Sequence, residues 1–309
     1  MSCVNSFSMQ PPKVYAIVVL FNPKIKLLSQ EYDSIVPQVD KIIYIDNFST
    51  NRDDVKVWIE GKNKASIIWM PDNEGIGAAQ NNGIRFALEE GASHIAIFDQ
   101  DSIVEMNFVS ALYEAEQLAL VDGIQVGLTG AVYTSYDDDS FYPIISIRDN
   151  KFLKIPIDSF THYCPVSHII ASGSLIRRET LERVGLMRED YFIGYVDFEY
   201  CFRAAQQGFV TIITKQATMR HQMGDQQVII AGRKIGVYSP FRRYFDCRNT
   251  ILIQHDTIYP KVFRCHYLKL IIAKSLFSCL YGPCRWSQLQ YCIKGFADGL
   301  KGVSGKITI

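Results

Sequence analysis

Asp99-Gln100-Asp101 sets two carboxylates one residue apart directly behind an apolar run, His94–Phe98. Such a pair can share a divalent cation, or one acid can hold the cation while the other accepts ribose hydroxyls. Hard oxygen ligands suit Mg2+ or Mn2+, which bind through one or two carboxylates and complete their shells with substrate phosphates. A D-x-D alone is equally at home in a solvated loop, and its place after a buried strand favours the ligand role. Asp72-Asn73-Glu74-Gly75-Ile76-Gly77 opens a helical segment. Its small residues let a backbone approach a ligand closely, and a helix N-terminus welcomes anions. The order is neither GxGxxG nor a Walker loop, and a capped helix packed on a sheet would use the same residues. Asp197-Phe198-Glu199 starts another helix behind the aromatic, glycine-bearing stretch Tyr191–Tyr195. Acids in a first turn complement the helix dipole, and a carboxylate there can also take a hydroxyl proton. His221 stands open between a structural side chain and a third metal ligand.

The elements that must position these groups are legible in the first hundred residues. Val14–Phe21, Lys41–Ile45, Ser66–Met70 and His94–Phe98 are apolar runs of strand length, separated by helix-compatible segments around 26–38, 52–60 and 76–90. This alternation predicts parallel strands covered on both faces. Every run delivers an Asn or Asp at its carboxyl end or within two residues of it: Asn22, Asp46, Asp72 and Asp99. One such residue is a turn former. Four on one edge indicate a ligand crevice, because open parallel sheets bind ligands there. Gly127–Tyr133 and Val210–Ile213 read as later strands, Asp197–Gln207 as a helix, and residues 140–165 as irregular or short strands. From about residue 240 onward the pattern is helical.

The formal net charge is zero but unevenly spread. Residues 231–309 carry 13 Lys+Arg against 3 Asp+Glu, leaving 19 against 29 for the remainder. A basic tail suits phosphates or an anionic membrane, with a solvated helical surface as the alternative. Leu268, Ile271, Ile272, Leu276 and Leu280 recur at helical spacing, as in an interfacial helix or one docked on the main domain. Lys269 and Lys274 interrupt that stretch, which is short for a membrane span. The eight cysteines form no CxxC and no zinc spacing, and are expected as free thiols in the cytoplasm.

Taken in order, Val18–Pro23, Ile45-Asp46-Asn47-Phe48-Ser49, Asn73–Gly77, Asp99-Gln100-Asp101 and the Asp197 segment resemble family 2 glycosyltransferases of the GT-A fold. Their bacterial rhamnosyltransferase branch is the nearest match. Arg243–Asn249 and Lys294–Gly299 resemble that branch's C-terminal region. The resemblance implies an α/β, Rossmann-like, mostly parallel sheet flanked by helices with a helical C-terminal extension. The expected division is a flexible 1–12, a nucleotide-sugar and acceptor domain over 13–235, and a basic helical region over 236–309 that associates with membrane. The implied donor site comprises Asn22, Asp46, Asn47, Asn73, Gly75, Gly77 and Asp99, with Arg243 and Arg248 adding positive charge. Asp101, with Asp99 and His221, is expected at a Mg2+ or Mn2+ ion. Asp197 takes the place of the catalytic base and Glu199 is the fallback, because Val196 stands where the family commonly has a Glu.

The implied reaction is an inverting transfer, with L-rhamnose from deoxythymidine diphosphate-L-rhamnose (dTDP-L-rhamnose) the favoured donor and a UDP-hexose the alternative. The implied acceptor is a lipid-linked saccharide of a bacterial surface polysaccharide, as in O-antigen and lipopolysaccharide synthesis, at the inner face of the plasma membrane. A homo-oligomer is left open. Nucleic acid is not an expected partner, because the basic tail carries no recognition module. A nucleotidyltransferase would need a glycine- and arginine-rich loop where Phe21-Asn22-Pro23 stands. A non-catalytic binding subunit would have no use for Asp197.

Overall fold

The computed structural model describes residues 11–134, 140–220, 226–230 and 233–307. The expected N-terminal segment falls mostly outside them. An eight-stranded sheet has the order β3-β2-β1-β4-β9-β5-β10-β8. Its strands are β1 (Val14–Leu20), β2 (Lys41–Asp46), β3 (Ala65–Trp69), β4 (His94–Asp99), β5 (Val126–Thr134), β8 (Cys164–Val166), β9 (Ser174–Arg177) and β10 (Val210–Arg220). The first four are mutually parallel, β9 runs antiparallel between β4 and β5, β10 is parallel to β5, and β8 is antiparallel to β10.

Helices cover both faces, and the apolar runs explain why. In β1, Tyr15 and Ile17 enter one core, where Ala79 and Ile84 of α3 (Ile76–Glu89) and Val196, Tyr200 and Phe202 of α6 (Val196–Gln206) pack. The alternate residues Val14, Ala16, Val18 and Leu20 enter the other, against α1 (Ile25–Ile35), α2 (Arg52–Ile59) and α4 (Phe108–Val121). A strand buried on both faces has no polar alternation to show.

Two elements, the end of β10 and a late hairpin, go beyond the sequence pattern, and the short strands expected in residues 140–165 take a definite form. β10 continues to Arg220 because, after an irregularity beyond Ile213, Thr218–Arg220 pair with Val132–Thr134 of β5. Residues 140–165 contain an antiparallel hairpin, β6 (Ile144–Arg148) with β7 (Lys151–Ile155). A second hairpin pairs β11 (Gln226–Ile230) with β12 (Arg233–Val237). The short α5 (Arg178–Val184) follows β9, and α7 (Pro240–Leu252), α8 (Lys261–Tyr281) and α9 (Arg285–Leu300) end the chain. Ser239 caps α7, accepting from the Arg242 N–H, and Pro240 occupies the first turn, where its missing N–H goes unused. Phe263 and Tyr267 of α8 pack on Phe198 and Tyr195 at the start of α6, with ring centroids 5.5–5.8 Å apart. Among the described residues no helix is long and apolar enough to cross a membrane, and all described cysteines are free thiols.

Candidate active site

Strand register brings the polar residues together. Leu20 lies beside Asp46, Asp46 beside Trp69, and Val19 beside Asp99. The loops carrying Asn22, Asp46-Asn47, Asp72-Asn73 and Asp99-Gln100-Asp101 therefore leave one edge of the sheet. They are also tied to one another. Asn22 accepts from the Thr50 N–H (2.7 Å) and hydroxyl (2.9 Å). Asn47 donates to the Asn73 side-chain oxygen at 2.9 Å and accepts from the Glu74 N–H at 3.0 Å, while Asn73 accepts from the Gly75 N–H at 3.1 Å. Gln100 accepts from the Phe21 N–H at 2.9 Å.

Asp46 is fully buried, and its Oδ2 accepts from Arg52 Nε at 2.5 Å. Its Oδ1 is buried without a hydrogen-bond partner. A buried acceptor left unmatched at the carboxyl end of an inner strand would be stabilised by a donor N–H brought to it. Arg52, which the sequence pattern did not single out, lies over the exposed Phe48 ring at 5.0 Å.

Asp99 and Asp197 lie near enough at this edge to feel each other's charge. The turn before β9 joins them: the Ser172 hydroxyl accepts from the Asp99 N–H at 3.0 Å, and the Ala171 N–H donates to the Asp197 carboxylate. Burial pushes the Asp197 carboxyl up from its ordinary 3.8 to about 6, the backbone N–H groups of Phe198 and Ala171 oppose that, and the charge of Asp99 adds to it. The Tyr133 hydroxyl, donating to the Ser172 carbonyl at 2.8 Å, has its pKa raised by burial and by both acids. Ser172 and Tyr133 were missed; the small run Ala171-Ser172-Gly173-Ser174 was their one sequence signal. Ser102 completes the turn, with its hydroxyl 2.9 Å from that of Ser172.

Asp197 owes its position to a strained loop. Phe192 and Tyr195 hold φ of 64° and 66°, in the left-handed region that non-glycine residues seldom adopt. Asn249 fixes that loop by donating to the carbonyls of Tyr191 and Ile193, both at 2.9 Å. Gly75 and Gly77 serve the same contact from the other side. A Cβ on Gly75, whose φ is +86°, would sit 2.4 Å from the Phe192 carbonyl oxygen, and one on Gly77 would sit 2.5 Å from that of Arg188. Their smallness lets α3 close on the loop that carries the acid. Asn81 adds to this, donating to the Met187 carbonyl at 2.9 Å and accepting from its N–H at 2.8 Å.

Three expected site residues have other partners. Glu199 is buried and paired with Arg203 at 2.8 Å one helical turn on. Arg243 pairs with Asp246 at 2.9 Å and donates to Ser278 at 3.1 Å. Arg248 is wholly buried and donates to the carbonyls of Tyr191 (2.9 Å), Asp190 (3.2 Å) and Gly305 (2.5 Å). The structure therefore does not bring these two arginines to the crevice: their guanidinium groups bind protein acceptors inside the helical packing. His221 lies outside the described residues. Asp99 and Asp101 are exposed at the edge. Among the described residues no three His, Cys, Asp or Glu converge as a closed metal cage. Two hard carboxylates exposed at the carboxyl edge fit an ion that takes its remaining ligands from phosphate and water.

A mostly parallel sheet of this order, flanked by helices and with a polar carboxyl edge, is a fold of the GT-A type. The chain belongs to glycosyl transferase family 2, whose description its residues 15–185 match. It is 31% identical over 296 residues, 94% of this chain and 97% of the relative, to the dTDP-rhamnosyl transferase RfbF of Shigella flexneri. It is 20% identical, over 82% of this chain and 80% of the relative, to the low-salt glycan biosynthesis hexosyltransferase Agl10 of Haloferax volcanii. In fold it resembles GalNAc-T7 with UDP, GalNAc and Mn2+ (TM-score 0.58, 14% identity), covering 94% of this chain but only 56% of that one. Residues 1–349 of S. aureus TarS give a TM-score of 0.52 at 12% identity, covering 93% of this chain and 80% of that one.

Proposed function

We propose that this glycosyltransferase moves L-rhamnose from dTDP-L-rhamnose to a hydroxyl of a lipid-linked precursor of a bacterial surface polysaccharide of the O-antigen type. The one turn, Ala171-Ser172, that holds both Asp99 and the carboxylate of Asp197 is the observation that carries the reaction. The choice of sugar rests on the likeness to the Shigella enzyme along nearly the whole of both chains. Asp46, Asn47, Asn73 and Asn22 line the donor side, with the unmatched Asp46 oxygen facing the nucleoside. Asp197 accepts the proton of the acceptor hydroxyl as it attacks the anomeric carbon, so configuration inverts in a single displacement. Asp99 and Asp101 would hold Mg2+ or Mn2+, which offsets negative charge on the departing nucleoside diphosphate when bound. The acceptor is met at the inner face of the plasma membrane, which the enzyme joins peripherally.

A base with its pKa near 6 gives a definite pH profile. The transfer rate is expected to be level above pH 7 and to fall about tenfold per pH unit well below 6, as the carboxylate takes up its proton. Rates between pH 4.5 and 8.5 on a stable chain check this; a flat profile would remove Asp197 from the role. The function itself is tested by transfer from labelled dTDP-L-rhamnose to a lipid-linked saccharide, with the anomeric configuration of the product read by NMR. Inversion supports the displacement. Retention, or transfer from a UDP-hexose alone, would overturn the mechanism or the donor respectively.

A further inference from the structure

We infer that the tip of the α8–α9 hairpin is a wedge that docks on an anionic lipid bilayer, with the side chains of α8 and α9 around the Gly282–Cys284 turn as the inserted surface. The inference deepens the peripheral placement proposed above. Folding leaves large apolar side chains uncovered here. Trp286 is 80% exposed, Leu276 61% and Leu280 58%, and Tyr281, Leu289 and Ile293 are exposed as well. Leu276 and Leu280 lie one turn apart on the same side of α8, while the opposite side, with Ile271, Ser275 and Ser278, is buried. Leu280, Tyr281 and Trp286 are within six residues of one another around the turn, so all three exposed side chains belong to the tip of the hairpin. Contiguous exposed apolar surface of this kind marks an interaction site. Trp and Tyr at its centre suit the boundary between headgroups and acyl chains, where an aromatic body and a polar edge are both satisfied.

Charge identifies the occupant. Between Asp256 and Asp298 the chain carries six Lys and Arg and no Asp or Glu. Arg285 at the turn and Lys274, about two helical turns before it, are exposed. An apolar tip flanked by cations without one acid is complementary to a negatively charged bilayer surface, which attracts Lys and Arg placed near it. A surface for a second copy of this chain would be expected to balance its own charge. The hairpin also links the membrane to the chemistry. Tyr267 of α8 touches Phe198, the neighbour of Asp197, and Leu280 lies thirteen residues further along the same helix. At about 1.5 Å per residue the tip is about 20 Å beyond the base along the helix. A docked tip therefore holds the active site a few sugar lengths from the headgroups, where the growing end of a short lipid-linked saccharide is presented.

The test is flotation of the full chain with vesicles of phosphatidylcholine alone and of phosphatidylcholine with phosphatidylglycerol. The chain is expected to float with the anionic vesicles only, and the double variant Leu280→Ser/Trp286→Ser to bind them at least about tenfold more weakly, since both side chains are solvent-exposed. Its unchanged melting temperature and dTDP-L-rhamnose affinity would show that the fold and donor site survive. Equal binding by the variant, or no preference for anionic vesicles, overturns the wedge. So does a wild-type dimer in solution that the variant converts to a monomer, because the patch would then be covered by a second copy. If the wild type floats but transfers nothing to a lipid-linked saccharide, docking stands and the acceptor assignment falls. If it transfers to that acceptor without floating, the reverse holds.

Discussion

Asp197→Asn is expected to lower the transfer rate about 10²- to 10⁴-fold, the usual contribution of a positioned general base. Donor affinity is expected to be unchanged or slightly tighter, because the substitution removes a negative charge that Asp99 and the donor's diphosphate both feel. The same variant makes an unusual stability prediction. The folded carboxyl binds its proton more tightly than the unfolded one, about 6 against 3.8. Its effect on stability is therefore least unfavourable below pH 4, worsens as pH rises toward 6, and is fully adverse at neutrality. Asn cannot ionise, so Asp197→Asn should melt higher than the wild type at pH 7.5 and lose that advantage near pH 4. An inactive variant that also melts lower would point to a structural role instead. Unchanged turnover would end the base assignment. The comparison needs only melting curves at two pH values and initial rates at saturating donor.

Arg248→Met has the second largest expected effect, and it falls on stability and geometry rather than on donor binding. Arg248 stacks on Phe245 at 4.7 Å while its guanidinium serves three backbone carbonyls, that of Tyr191 buried and those of Asp190 and Gly305 partly so. Met keeps much of the apolar stem and removes every donor. The Tyr191 carbonyl keeps its bond from Asn249 and that of Asp190 its bond from the Gly305 N–H. What is lost is charge-assisted hydrogen bonding worth about 1.5–3 kcal/mol per bond, and a loss of about 3 kcal/mol or more is expected. Two of those carbonyls, at Asp190 and Tyr191, begin the strained loop that aims Asp197. Turnover should therefore fall in the fraction that remains folded, with little change in donor affinity. If Arg248 instead gripped the diphosphate, Arg248→Met would weaken donor binding and leave the melting temperature alone. Calorimetric donor titration alongside thermal melts separates the two.

The contrast between Asp197 and Arg248 shows what the sequence could and could not convey. Strands buried on both faces appear as unbroken apolar runs, so β1, β2, β3 and β4 were readable. So was the row of Asn and Asp at their ends, because parallel pairing in near register must bring such ends to one edge. An acid at the head of α6 was readable from its aromatic, glycine-bearing approach. The partner of a long charged side chain is not written locally. Arg243 and Arg248 look like anion ligands in a basic tail, yet beyond the local Asp246 and Asn249 side chains their acceptors come from α8, the Tyr191 loop and Gly305, distant in sequence. Gly75 and Gly77 were recognised as places of close approach, but only the tertiary structure shows that the approaching groups are the Phe192 and Arg188 carbonyls. Arg52 and Ser172 escaped notice because a single Arg in a helical segment and a Ser in a small-residue turn are ordinary until Asp46 and Asp99 are found beside them.

The carboxyl edge of the sheet as a metal-assisted nucleotide-sugar site is tested most directly by calorimetric titration of the full chain. The titrants are dTDP-L-rhamnose, UDP-glucose, UDP-galactose and UDP-N-acetylglucosamine, each with Mg2+, with Mn2+ and with a chelator. The expected result is binding of dTDP-L-rhamnose in preference to the uridine donors, weakened by the chelator and by Asp101→Asn. Preference for a uridine donor under the same metal dependence would keep the site and replace the sugar. Failure of every nucleotide sugar to bind, with the chain folded and either metal present, would contradict the account.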